Sequence, residues 1–447
     1  MKDNKHYWLK SGSYSLIVNV LQLVLGFGGF YLLVRMLDKN IFGIWTLFTA
    51  TTTIFEMARG GLIQYALIKF LSESDEDEKP KIISASFVLS GILLIVCIAI
   101  NLSLAGYLSR LWHYPALFPM FILYILVYIL QGFLSQFQWI EQSYFRFKGV
   151  LVTTLIKQGG FFLFIFVSFV FHKQISLLNL IFVQAIAIGI AAVVEYFFVR
   201  DFLLISYHFH VEWIKKLFNY GKFVFGTSVS GIFSGAINQM MLGTMISPDA
   251  AGTYNVAIRI INLTDVPINA LGSIVFPQSA KRFAIQGAEA GKYLFEKSVG
   301  TILAVLIPIV VFVFCFHSLT VRLIAGANYA ASAHMVQLVI LTCLLSPYDR
   351  FFGVIMDSTG KAKLNFIIIF LVNILVLIPN YIMIKKYGIM GVVYVTLVVD
   401  QIVFVIRQRI LRNTMNVNVL SPFVYAWRFY PEMYHHYLKP LLQKLKN

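Results

Sequence analysis

Ten polar side chains beside two threonines stand inside apolar stretches of this sequence, at spacings that could do chemistry. Asn255, Arg259, Asn262, Asp265, Asn269 and Ser273 recur at steps of four, three, three, four and four, so all six fall on one face of a helix. Lipid does not tolerate such a stripe, which must face protein or water. A dry packed interface has little use for six polar groups, so the stripe reads as a cavity lining. Glu56 and Arg59 stand in an earlier apolar stretch, with Thr49, Thr53 and Gly60 on the same side. Lys157 and Arg350 stand in two others. A charge inside a span costs about 2.5–3.5 kcal/mol or more, which drives it toward a partner or a water-filled interior. Basic groups there suit an anion, because guanidinium takes phosphate oxygens two at a time. Two readings stay open for Glu56 and Asp265: sites for a coupling proton or sodium ion, or counter-charges for the neighbouring arginines. Lys157 has two as well, pointing inward or snorkelling to headgroups.

The elements that must position these groups are membrane spans. Of 447 residues 59% are hydrophobic and 13% charged, and the mean hydropathy is +0.78. A soluble chain could not cover that much apolar surface. Long apolar runs broken by short polar turns predict an all-α polytopic membrane protein with about twelve transmembrane helices. The net charge of +16 does not indicate nucleic acid, since the basic residues gather in turns. Cys97, Cys315 and Cys343 lie in or beside apolar runs and form neither a CxxC motif nor a disulfide framework. No metal site is expected. The first apolar segment has no small-residue cleavage site after it and is expected to stay in place.

The halves repeat. Met36, Gly43, Trp45 and Glu56 fall opposite Met245, Gly252, Tyr254 and Asp265 at a constant offset. The expected organisation is a six-helix bundle over 1–199, an amphipathic cytoplasmic linker over 200–222, a second six-helix bundle over 223–410, and a basic amphipathic cytoplasmic tail over 411–447. The eighth segment, from about Ala251 to Pro277, carries Pro267 and is expected to kink there. The tenth is expected to run unbroken from Val336 to Met356, with the adjacent Asp349 and Arg350 on different sides. Glu195, near the end of the sixth, is placed at the interface. With an even number of spans, putting both termini in the cytoplasm leaves most lysines and arginines on the inner side, as the positive-inside rule requires.

Three motifs carry a resemblance. Arg35 to Gly43 (RMLDKNIFG) fits R-x-L-x(4)-[FY]-G. Leu242 to Ala257 (LGTMISPDAAGTYNVA) fits LG-x(3)-[SP]-x(4)-G-x-Y-x-x-A, and Tyr387 to Tyr394 (YGIMGVVY) is similar to a YGIxGAA segment. In order and spacing the set resembles the polysaccharide transporter family, which includes O-antigen and capsule flippases, within the multidrug/oligosaccharidyl-lipid/polysaccharide exporter superfamily. Asn238 departs from it, standing where many relatives carry an acid, and many relatives have fourteen spans. The resemblance implies two six-helix bundles enclosing a cationic cavity. It implies a flippase that carries undecaprenyl-pyrophosphate-linked oligosaccharide units across the cytoplasmic (inner) membrane, coupled to an H+ or Na+ gradient, with no other cofactor. By position, Arg59 and Arg259 match cavity arginines of the related lipid II flippases. The implied partners are the lipid-linked oligosaccharide, membrane lipids and the polysaccharide polymerase machinery, with a monomer as the working unit.

Two rivals share the composition. A multidrug cation antiporter of the same superfamily would want a less cationic interior and acids for cationic drugs. A membrane glycan polymerase or acyltransferase would want a catalytic group on a long outer loop, and no such loop is present. No GxxxxGK[ST] motif provides for direct use of ATP.

Overall fold

A computed structural model of the chain describes residues 2–144, 146–206, 208, 210–265, 267–268, 288–358 and 362–433; side chains of 2–16, 19, 58, 223–224, 227–234, 288–290, 354, 357–358, 362 and 432–433 lie outside the description. Asn269, Ser273 and Pro277 fall outside it. The described residues are helical, without a strand. In chain order the helices are α1 (Lys2–Met36), α2 (Lys39–Glu73), α3 (Lys79–Leu111), α4 (Leu117–Ser143), α5 (Lys148–Thr154), α6 (Gly160–Val170), α7 (Leu177–Val199), α8 (Val211–Met245) and α9 (Pro248–Ile261). There follow α10 (Ala288–Cys315), α11 (His317–Ala325), α12 (Ser332–Val339), α13 (Ser346–Ser358), α14 (Ala362–Tyr387), α15 (Ile389–Met415) and α16 (Ser421–Met433). Among the described residues, eight helices are long and apolar enough to cross a bilayer, and a bent pair makes a ninth. Their outward faces carry exposed Ile95, Val193, Leu375 and Ile378, as lipid-facing surfaces must.

The chain forms two compact units, Met1–Gly252 and Thr253–Asn447. This division places α8 with the first six segments, and local packing explains it. A Cβ on Gly221 would lie 1.8 Å from the carbonyl oxygen of Leu62, and one on Gly243 would lie 2.6 Å from the Leu47 side chain. Absent side chains thus let α8 lie against the length of α2. The surface helix expected within 200–222 is not a separate element. A 3-10 turn covers Arg200–Phe202, and 211–222 form the start of α8. Trp213 and Leu217 then join Leu62, Ile82, Trp139 and Val199 in the core of the first unit.

Within that unit Gly43 and Gly252, equivalent in the repeat, meet backbone to backbone. A Cβ on Gly252 would lie 3.1 Å from the Gly43 Cα, and one on Gly43 would lie 2.0 Å from the Pro248 carbonyl oxygen. The glycines of two sequence motifs are therefore one close contact. Glu195 is not interfacial but fully buried. Its Oε2 accepts from the Thr153 hydroxyl at 2.7 Å, while Glu141 accepts from the backbone amides of Gly149 and Val150 at 2.9 and 2.8 Å. These bonds fasten α4, α5 and α7 together.

In the second unit Phe295, Val299, Tyr348, Phe351, Leu411 and Ala426 share a core. The segment from Asn418 through α16 docks into it. Tyr430 donates to the Ala304 carbonyl at 2.6 Å, and the Asn418 amide to Glu296 at 2.8 Å. The tenth segment is broken rather than straight. A 3-10 stretch, Ile340–Leu344, joins α12 to α13, and the two halves bend by 46°. Pro347 has no amide hydrogen for the Cys343 carbonyl, which ends the α-helical ladder there. The third motif closes the α14–α15 turn. Gly388 has φ +58° and ψ −138°, and a Cβ on Gly391 would lie 2.2 Å from the Met383 carbonyl oxygen. Gly388→Ala is expected to cost about 1–3 kcal/mol, read as a lower melting temperature of the purified protein; an unchanged melting curve would refute this role.

Candidate functional site

The helical periodicity that places Glu56 and Arg59 on α2 turns both toward α3 and α4. Arg59 is buried, 4% exposed. Its Nη1 donates to Ser90 Oγ of α3 and its Nη2 to the Gln131 carbonyl of α4, both long at 3.4 Å. Gly132 makes room for it, since a Cβ there would lie 3.3 Å from Nη1. Glu56 does not pair with Arg59 one turn away. Its Oε1 accepts from the Tyr124 hydroxyl of α4 at 2.9 Å. It still lies near enough to Arg59 and Lys157 to act on both electrostatically. Tyr124 packs edge-on against Tyr128, with centroids 4.8 Å apart.

Lys157 reaches the same network. It sits in the middle of a π-helical turn, Leu155–Gly159, between α5 and α6. Such turns insert one residue into the helix and re-aim its side chains, often at functional sites. Lys157 points inward, and its Nζ donates to Gln131 Oε1 at 2.8 Å. Gln131 in turn donates through Nε2 to Ser135 Oγ at 2.8 Å. The first unit thus brings together Glu56, Arg59, Lys157, Tyr124 and Gln131.

The second unit holds its own set. Arg259, Asn262 and Asp265 lie on one face, and all three are exposed. Asn255, one turn earlier, is half-buried. The helix loosens into a 3-10 turn at Asn262–Thr264. Pro267 cannot bond the Leu263 carbonyl four residues before it, which lies in that turn. An exposed Arg-Asn-Asp face in a span meets water, not acyl chains. Arg350 of α13 is exposed and acts electrostatically on Asp265. The adjacent Asp349 turns away and pairs with Arg407 of α15 at 2.8 Å, with Asp400 close to both.

Removing the Asp349 carboxylate as alanine would take from the half-buried Arg407 its bonded partner and leave only the nearby Asp400, which costs about 1–3 kcal/mol. The expected result is a loss of folded protein on purification; wild-type yield and melting temperature would refute the pairing.

Among the described residues, Arg59, Lys157, Arg259 and Arg350 form no ion pair. Four basic side chains in a membrane protein therefore lack a bonded carboxylate. Among the described residues, no cluster of His, Cys, Asp and Glu could hold a metal ion. Sequence reasoning missed the fourth segment. Tyr124, Tyr128, Gln131 and Ser135 recur at four, three and four, the same signal that exposed the stripe on α9.

Comparison with known proteins follows the same lines. Residues 8–283 match the family model described as polysaccharide biosynthesis protein. The chain belongs to that family. A putative O-antigen transporter of Shigella flexneri, also similar, is 22% identical over 236 residues, 51% of this chain and 53% of that protein. The chain spans about half the length of the curated relatives it matches. Two solved structures share the fold. An inward-facing multidrug resistance MATE family transporter of the MOP superfamily superposes with a TM-score of 0.74 at 14% identity, covering 89% of this chain and 96% of that one. The lipid II flippase MurJ, inward closed, superposes with a TM-score of 0.70 at 14% identity, covering 95% and 92%. The expected MOP-type architecture of this family member is therefore present.

Proposed function

We propose that this protein is a flippase, not an enzyme, that moves undecaprenyl-pyrophosphate-linked oligosaccharide repeat units of O-antigen or capsule type. Transport runs from the inner to the outer face of the cytoplasmic membrane by alternating access. One observation carries the reading: Arg59, Lys157, Arg259 and Arg350 stand on helices of a membrane protein without an ion pair among the described residues, the first buried, Lys157 half-buried, and Arg259 and Arg350 exposed. An unpaired charge in a span is costly, and an arriving pyrophosphate would offset that cost. The head must cross about 30 Å of hydrocarbon, so basic walls must replace its water. Binding has to stay loose enough for release on the far side.

Asn255, Asn262 and Asn269 would meet the glycan. Glu56 and Asp265 would take the coupling proton or sodium ion. No other cofactor enters the proposal. Both termini would be cytoplasmic, and the working unit would be a monomer in contact with membrane lipids and the polymerase machinery. The family and the O-antigen transporter relative support this reading. The shared fold alone would also suit a multidrug cation antiporter, but unpaired cations repel such cargo. Purified protein in vesicles should move a fluorescent pyrophosphate-linked lipid from one leaflet to the other. Vesicles that move a cationic dye and not that lipid would overturn the proposal.

A further inference from the structure

Gln131 has no role in the reading above, yet both Arg59 and Lys157 end on it. Its side-chain carbonyl accepts from Lys157 at 2.8 Å, and its backbone carbonyl accepts from Arg59 at 3.4 Å. Lysine only donates, so the bond from Lys157 fixes which end of the amide faces it. The other end is spoken for by Ser135 at 2.8 Å. Gln131 is 8% exposed and its neighbour is Gly132, which leaves the Arg59 guanidinium room to approach. The π turn at Leu155–Gly159 aims Lys157 at the same residue from the other side. Two like charges are thus held on one neutral residue. A carboxylate at this position would bind the cations more strongly, but would also cancel them. A neutral acceptor holds them in place and leaves their charge available.

We propose that Gln131 is a positioning residue, which keeps Arg59 and Lys157 together as two cations sharing one nearby carboxylate, Glu56, itself bonded to Tyr124, so that the pair keeps a net positive charge able to receive a pyrophosphate. This rests on the flippase reading and adds to it a requirement for neutrality at position 131. Pyrophosphate carries more than one negative charge and several acceptor oxygens, so two cations on one residue match it better than a single cation.

The test uses the full chain in lipid nanodiscs, with citronellyl pyrophosphate as the probe and citronellol as its uncharged control. Gln131→Glu and Gln131→Leu are compared with wild type for binding and for melting temperature. Gln131→Glu is expected to bind the pyrophosphate at least tenfold more weakly while melting at the same or a higher temperature. A merely structural role would not separate those readouts in that direction. Gln131→Leu is expected to weaken binding through loss of the acceptor, with a lower melting temperature. Wild-type affinity in a folded Gln131→Glu or Gln131→Leu protein overturns the inference and leaves the flippase reading standing; if one variant does not fold, the other decides. A wild-type protein that binds the pyrophosphate no better than citronellol overturns both.

Discussion

Arg259→Ala is expected to lower flipping about 10- to 100-fold while the protein still inserts in the membrane. Arg259 is exposed on the polar face of α9 and has no ion pair among the described residues, so the fold does not depend on a bond it makes. What the substitution removes is the contact to the cargo. Charge-assisted hydrogen bonds contribute about 1.5–3 kcal/mol each, and each 1.4 kcal/mol is a factor of ten. Arg259→Lys should recover part of the loss, since the charge returns without the planar fork. The check is surface polysaccharide in cells that carry only the variant, normalised to its amount in the membrane. Normal surface polysaccharide would remove Arg259 from the site.

Gly43→Val is expected to prevent folding rather than transport. The Cβ it adds would fall 2.0 Å from the Pro248 carbonyl oxygen and 2.4 Å from its carbon. Both are backbone atoms, so no side chain can swing aside. Overpacking of this kind costs about 1–3 kcal/mol where neighbours yield and more where they do not. Gly252→Val should behave alike, because its Cβ would press on Gly43 at 3.1 Å. The measurement is the yield of monodisperse protein after extraction. Variants that extract and melt like wild type would show that the contact is not required.

How much of this could be read from the sequence depends on the range of the interaction. The spans follow from composition and run length alone, and the polar stripe on α9 follows from the helical repeat, which is local. Motif glycines were visible as motifs, but their reason was not. Gly43 and Gly252 matter because distant segments touch, and no spacing rule reveals that. Glu195 looked interfacial because it lies near a helix end, while the Thr153 hydroxyl that holds it lies on another helix. The break at Ile340–Leu344 was legible in Pro347 and was overridden by the apolar run around it. In the fourth segment no charged residue draws attention to the face on which Gln131 lies, which is visible only in the spacing of Tyr124, Tyr128, Gln131 and Ser135. Asp349 could be seen to face away from Arg350, but its partner, Arg407, could not be seen from one sequence.

The most direct measurement is made in cells that lack this protein, scored for surface polysaccharide together with the leaflet in which the finished lipid-linked unit accumulates. A flippase predicts loss of the surface glycan with the completed unit trapped on the cytoplasmic face, restored by the wild-type protein. Unchanged surface glycan with heightened sensitivity to cationic drugs would contradict it and point to a cation antiporter on the same fold.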